Sequence, residues 1–178
     1  MNQPAYARPI RLLAGTPAVL QQALAGSAAL AEALGVRVPE GWAESRVDSL
    51  RYAWQKLQDN PGEAGWWTYL LVHQPDNTLV GSGGYHGPPT AAGVVELGYE
   101  VAPEYQGRGL ATAFAGALVA RAFAQPLVTA IIAHTLAQGN VSTRVLLNNG
   151  FAKVADLFDP ADGPLWQWRL ERPGLAPS

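Results

Sequence analysis

Six consecutive residues, Gln106-Gly107-Arg108-Gly109-Leu110-Ala111, have the composition of a phosphate cradle. A helix start leaves backbone N–H groups without partners at the positive end of the macrodipole, so successive amides there can hold a phosphate or pyrophosphate. Gly107 and Gly109 remove Cβ atoms and permit unusual φ, Ala111 is nearly as small, and Arg108 is expected to offer a charge-assisted contact. The same glycines also suit an ordinary loop, since short glycine motifs are individually unspecific. Two other glycine motifs fare worse. A Walker loop needs Lys-Ser or Lys-Thr after its last glycine, where this chain has Leu110-Ala111-Thr112. A dinucleotide fingerprint needs a third glycine where Thr112 stands.

Proton-handling groups lie on either side of the cradle. Val95, Leu97, Tyr99 and Val101 alternate with Glu96, Gly98 and Glu100, so a strand here has one apolar face and one acidic face. At about 3.3 Å per residue the two glutamates stand roughly 13 Å apart, too far to share a proton, and they should have different jobs. His134, at the end of an apolar run, is a rival base, since imidazole is the side chain that ordinarily changes charge near neutral pH. His86, between Tyr85 and Gly87-Pro88-Pro89, is another.

The elements that must position these groups alternate along the chain. Ile10 to Leu13 reads as a short strand, and Thr16-Pro17 as an N-cap with proline at the first helical position of a helix over Ala18 to Ala25. A second helix runs from Ser27 to Leu34 and stops at Gly35; Val36 to Glu44 reads as a loop, and Val47 to Leu57 as a third helix. Trp66 to His73 and Thr78 to Gly84 flank the turn signal Pro75-Asp76-Asn77 and predict an antiparallel hairpin. The helix that opens at Leu110 ends near Gln125-Pro126, and Leu127 to Thr135 reads as a buried strand. Asn140 or Ser142 caps a short helix ending at Asn149-Gly150, and Trp166 to Leu170 alternates as a last strand. The expectation is an α/β domain around a mixed central sheet.

At 178 residues, with 48% hydrophobic and 15% charged residues, the chain suits one sizeable core. A net charge of −2 without a basic cluster argues against nucleic acid as partner. The absence of cysteine excludes disulfides, thiolate metal sites and a cysteine nucleophile. No leader-like or membrane-length apolar run is present, so a cytoplasmic location is expected. The six tryptophans serve a dimer interface as readily as a core.

The frame from Gln106 to Ala111, behind Glu96-Leu97-Gly98-Tyr99 and ahead of Asn140-Val141-Ser142-Thr143-Arg144-Val145-Leu146 and Gly150-Phe151, resembles the GNAT superfamily of N-acetyltransferases. Within it the chain is most similar to the branch named for RimJ and RimL, which acetylate N-termini of ribosomal proteins. The resemblance implies a single GNAT-like domain over residues 1–178, with a mixed, mostly antiparallel central sheet flanked by helices. It implies acetyl-CoA as donor, its pyrophosphate on the amides from Gly107 to Thr112, with Gln106 in the same frame, and its pantetheine arm on the backbone around Val101. Transfer to an amine, on a protein N-terminus or a small molecule, would be direct in a ternary complex, with no metal. Glu96 resembles the family's glutamate and is the first choice as base, with Glu100 the alternative. Many members place a tyrosine acid where this chain has Leu146; Ser142 matches the serine of the RimJ and RimL branch, with Asn140 resembling the pantetheine-binding asparagine, although the gap between them is two residues rather than the usual three. Trp42, Tyr85, His86, Glu100 and His134 are the expected surroundings of the acceptor. The alternative is a non-catalytic acyl-CoA-binding sensor or protein-interaction module.

Overall fold

The Thr16 hydroxyl accepts a hydrogen bond from the Val19 N–H and Pro17 stands at the head of α1 (Pro17–Ala25), as their types predict. Gly26 breaks the helix, α2 (Ser27–Leu34) follows, and Gly35 ends it in the left-handed conformation. In the computed structural model, which describes residues 9–174, these elements lead to α3 (Val47–Asp59), then α4 (Leu110–Phe123) and α5 (Val141–Asn148). The strands are β1 (Ile10–Ala14), β2 (Thr68–His73), β3 (Thr78–Tyr85), β4 (Val94–Val101), β5 (Ala130–Leu136), β6 (Ala152–Asp159) and β7 (Gly163–Glu171). They form one seven-stranded open sheet in the order β1-β2-β3-β4-β5-β7-β6. Only β4 and β5 run parallel; every other neighbouring pair is antiparallel.

The continuous apolar run in β2 reflects burial on both faces. Leu70 and Val72 pack with Leu79 against Leu20, Leu30, Leu50 and Leu57 of α1 to α3. Tyr69 and Leu71 point the other way, into the core that Phe114 and Leu118 of α4 and Val145 and Leu146 of α5 build on β4, β5 and β7. In β4 this leaves Val95, Leu97 and Val101 buried on the α4 side, while Glu96, Gly98 and Glu100 face the side of α3. Arg172 donates to the carbonyls of Phe123, Gln125 and Val128, and so ties the end of α4 to the approach to β5.

The ladder between β4 and β5 is short. Val94, Val95 and Glu96 pair with Ala130, Ile131 and Ile132, and no pairing continues beyond them although both strands go on. Past that point the sheet forks. The Ala102 N–H and the Glu96 carbonyl are engaged on the β3 side, so strand alternation turns the N–H and C=O of Leu97, Tyr99 and Val101 toward the fork.

Three expectations are corrected. The strand predicted from Leu127 begins at Ala130; Leu127 is 79% exposed, and the lead-in is tied to the turn at Gly93 and to Arg172 instead. The loop from Val36 to Glu44 does not border an open cleft at Trp42. That side chain is 5% exposed in the α1 to α3 core, with the Arg46 guanidinium stacked 4.7 Å from its ring. The third is an omission: β6, an edge strand with mostly exposed side chains, had no clear period of its own. Among the described residues no helix is long and apolar enough to cross a membrane, and no group of three or more His, Cys, Asp or Glu is placed to hold a metal ion.

Candidate active site

A short 3₁₀ turn, Pro103–Tyr105, carries the chain from β4 to the glycine segment at the head of α4. Gly107 and Gly109 adopt φ of 72° and 75°, the left-handed region that glycine enters without strain. Gly109 is the N-cap of α4 and offers no side chain to cap it, so the first-turn N–H groups of Leu110, Ala111 and Thr112 are left for another acceptor. Leu110 is buried beneath them. The Gln106 amide donates to the Val101 carbonyl at 2.9 Å, which pins the loop to the open edge of β4. Arg108 turns back, donating to the Glu104 carbonyl at 2.8 Å and stacking 4.8 Å from the Tyr105 ring. The amides, rather than Arg108, therefore face the cradle.

Across the fork, Asn140 is the N-cap of α5. Its Oδ1 accepts from the Thr143 N–H at 3.0 Å, so the capping role holds, while its amide nitrogen is not used by the cap. The Ser142 carbonyl accepts from the Tyr99 hydroxyl at 3.2 Å, which joins β4 to α5 over the gap. Burial pushes the Tyr99 phenol well above its ordinary pKa, so it acts here as a hydrogen-bond donor. In the sequence Tyr99 belongs simply to the apolar face of β4; the use of its hydroxyl depends on the fork, which brings α5 within reach.

On the α3 side of β3 and β4 lies a cavity of about 830 Å³, whose walls include Ser49 and Tyr52 of α3, Trp67, and His86, Gly98 and Glu100. Glu100 accepts from the Ser82 hydroxyl at 3.0 Å and pairs with Arg46, so it is tied to the cavity wall. Tyr85 also lines the cavity, and its hydroxyl is anchored on the Leu118 carbonyl of α4.

Three of the four groups that the sequence offers as competing bases, Glu96, His86 and His134, form one cluster, and Glu100 stands apart from it on Ser82 and Arg46. His86 Nδ1 lies 3.2 Å from Glu96 Oε1, and His134 Nδ1 lies 2.9 Å from the same oxygen. The Gln167 amide meets His134 Nε2 at 3.1 Å. The sheet register explains the row: Tyr85 opposite Leu97 puts His86 opposite Glu96, Glu96 pairs with Ile132 two residues before His134, and His134 pairs with Gln167. The His86 contact and then the His134 contact hold the Glu96 carboxyl at a pKa of about 2 against the opposing effect of burial. The same Glu96 contact raises the pKa of His86, again against burial.

These shifts predict an acid limb of stability. A carboxylate depressed from 4.5 to about 2 contributes stability that is fully present above the unfolded value and is lost as pH falls from about 4.5 toward 2. Acid unfolding followed by circular dichroism should therefore be shallower in Glu96→Gln than in the unsubstituted protein; identical acid limbs would contradict the pairing.

The described chain is similar in fold to a ribosomal L7/L12 N-terminal-serine acetyltransferase from Salmonella typhimurium (TM-score 0.67, 13% identity, covering 94% of this chain and 97% of that one). A chimeric spermidine N-acetyltransferase from Vibrio cholerae and hSSAT gives a TM-score of 0.65 at 13% identity, with 92% and 95% coverage. An aminoglycoside acetyltransferase in complex with coenzyme A gives 0.61 at 20% identity, with the same coverages. Comparison with curated protein sequences gives no match. The family model for the acetyltransferase (GNAT) domain matches residues 15–152, which hold both the cradle and the histidine-flanked Glu96. The chain thus belongs to the GNAT acetyltransferase family and is an acyltransferase.

Proposed function

We propose that the protein moves an acetyl group from acetyl-CoA to a primary amine by direct attack in a ternary complex. The observation that carries this reading is the placement of two different openings on either side of β4. The glycine cradle and the forked strand edge suit a pyrophosphate with an amide-bearing arm. The 830 Å³ cavity, with His86 on its wall, suits an amine. Neighbours of the same fold are named for spermidine, aminoglycoside and ribosomal-protein acetylation, which supports an amine acceptor without choosing among them.

In this reading the pyrophosphate rests on the amides from Gly107 to Thr112, within the frame that Gln106 pins, and the pantetheine arm adds to the open edge near Val101. The Asn140 amide nitrogen meets the same arm. The Ser142 hydroxyl donates toward the sulfur as the thiolate leaves. Glu100 and its partner Arg46 border the acceptor.

An α-amine is favoured over a lysine side chain. Neutralising an α-amine at pH 7 costs roughly 1 to 1.4 kcal/mol, against roughly 4.6 kcal/mol for lysine. This agrees with an N-terminal acceptor of the RimJ and RimL kind. The test is free-thiol release from acetyl-CoA with short peptides, polyamines and aminoglycosides as acceptors. Peptides with a free N-terminus should react fastest near neutral pH. Acetyl-CoA binding without thiol release from any acceptor would favour the non-catalytic sensor.

A further inference from the structure

Of the row His86, Glu96, His134 and Gln167, only His86 reaches the cavity wall. An ionised carboxylate accepts and cannot donate, so both imidazoles that meet Glu96 Oε1 do so through Nδ1–H. For His134 this leaves Nε2 as acceptor, and the Gln167 amide fills it at 3.1 Å. Both of its nitrogens are engaged. Among the described residues nothing fills the His86 Nε2 lone pair. It stands over Gly98 on the cavity floor, 3.1 Å from where a Cβ would be, so the missing side chain makes room for the ring. The His86 side chain is 62% exposed.

We propose that His86 is the proton acceptor for the attacking amine, acting through Nε2, and that Glu96 is a positioning residue that holds the ring through Nδ1 while His134 and Gln167 hold Glu96. The inference rests on the acetyl-transfer reading. The amine nitrogen bonds to the thioester carbonyl carbon, and its proton passes to His86 Nε2. The C–S bond breaks with its electron pair going to sulfur, and the imidazolium then releases the proton to solvent through its exposed edge. Glu96 serves poorly as the base itself, because a carboxylate held near 2 has little drive to take a proton at neutral pH.

The other titratable groups around the cavity leave His86 this role. Arg46 pairs with Glu100, the Tyr85 and Tyr99 hydroxyls donate to the Leu118 and Ser142 carbonyls, and Asp48 and Tyr52 stand on the α3 side. Among the described residues His86 is the one imidazole on the wall.

The experiment measures kcat, KM and the pH profile by thiol release, with acetyl-CoA binding by calorimetry, for the unsubstituted protein, His86→Gln, Glu96→Gln and Gly98→Ala. Imidazole titration by NMR accompanies it. His86→Gln should lower kcat by roughly 10²-fold or more while acetyl-CoA binding is retained. Glu96→Gln should move the acid limb of kcat/KM and the His86 titration together to lower pH, because the group that raises the His86 pKa is gone. Gly98→Ala keeps every titratable group but crowds the ring, and should lower kcat with KM for acetyl-CoA unchanged. Thiol release that survives His86→Gln with an unchanged pH profile, or a His86 titration unmoved by Glu96→Gln, overturns the proposal alone. Absence of release by the unsubstituted protein overturns the transfer reading and this proposal with it.

Discussion

With acetyl-CoA at about 100 times its Kd, the midpoint of thermal unfolding should rise by on the order of 5 to 10 °C, and Gly109→Val should abolish the rise. Ligand at that level adds roughly 2.7 kcal/mol to stability, and in a chain of this length each kcal/mol moves the midpoint by about 2 to 4 °C. Gly109 stands at φ 75°, where a β-branched residue is strained by about 1 to 3 kcal/mol. Such a residue would also place a side chain at the head of α4, where the glycine leaves the first-turn amides open to a ligand. The variant should therefore melt lower without ligand and gain nothing with it. Because the ligand increment is measured within each variant, the two effects separate. A rise with NAD in place of acetyl-CoA would revive the dinucleotide reading, and no rise with acetyl-CoA would overturn the cradle assignment.

Gly84→Ala should be the most damaging single methyl in the sheet. Gly84 has φ of 145°, and a Cβ there would lie 1.8 Å from the Trp67 carbonyl oxygen, which accepts from the Tyr85 N–H at 3.1 Å. Neither backbone can yield without breaking the β2 to β3 pairing at Thr68. The expected loss is about 3 kcal/mol or more, seen as a midpoint lower by on the order of 6 to 12 °C. Trp67, Thr68, Tyr85 and His86 line the cavity around this position, so thiol release should fall as well. Gly139→Ala is the control: its Cβ would meet nothing within 4 Å, and its midpoint should stay within about 1 to 2 °C of the parent. Equal melting of the two variants would refute the close approach at Gly84.

Much of the fold could be read from local chemistry. The Thr16-Pro17 start of α1, the left-handed stop at Gly35 and the turn before Thr78 depend on residues within a few positions of one another, and the structure shows each. The cradle glycines belong to the same class, since their unusual φ is a local need. Trp42 and β6 were less legible because they depend on distant partners. An indole on a loop carries no signal of whether α1, α2 and α3 close over it, and β6 acquires its pairing from β7 with most of its side chains in solvent. The candidate site shows the same limit. Glu96, His86 and His134 were each visible as titratable groups, yet they read as rivals. Only the register of β3, β4, β5 and β7 makes them neighbours and brings in Gln167, which had no chemical signal of its own.

The fork between β4 and β5 has a mechanical consequence. With three residue pairs joining the two strands, β1 to β4 and β5 to β7 share only a short line of backbone pairing, which α4 and α5 cover from one side. An amide-bearing molecule lying along the open edge of β4 would supply rungs that the chain itself withholds. Donor binding would then act as the last step of sheet assembly, and the rigidity of the acceptor wall on the far side of β4 would depend on whether the donor is in place.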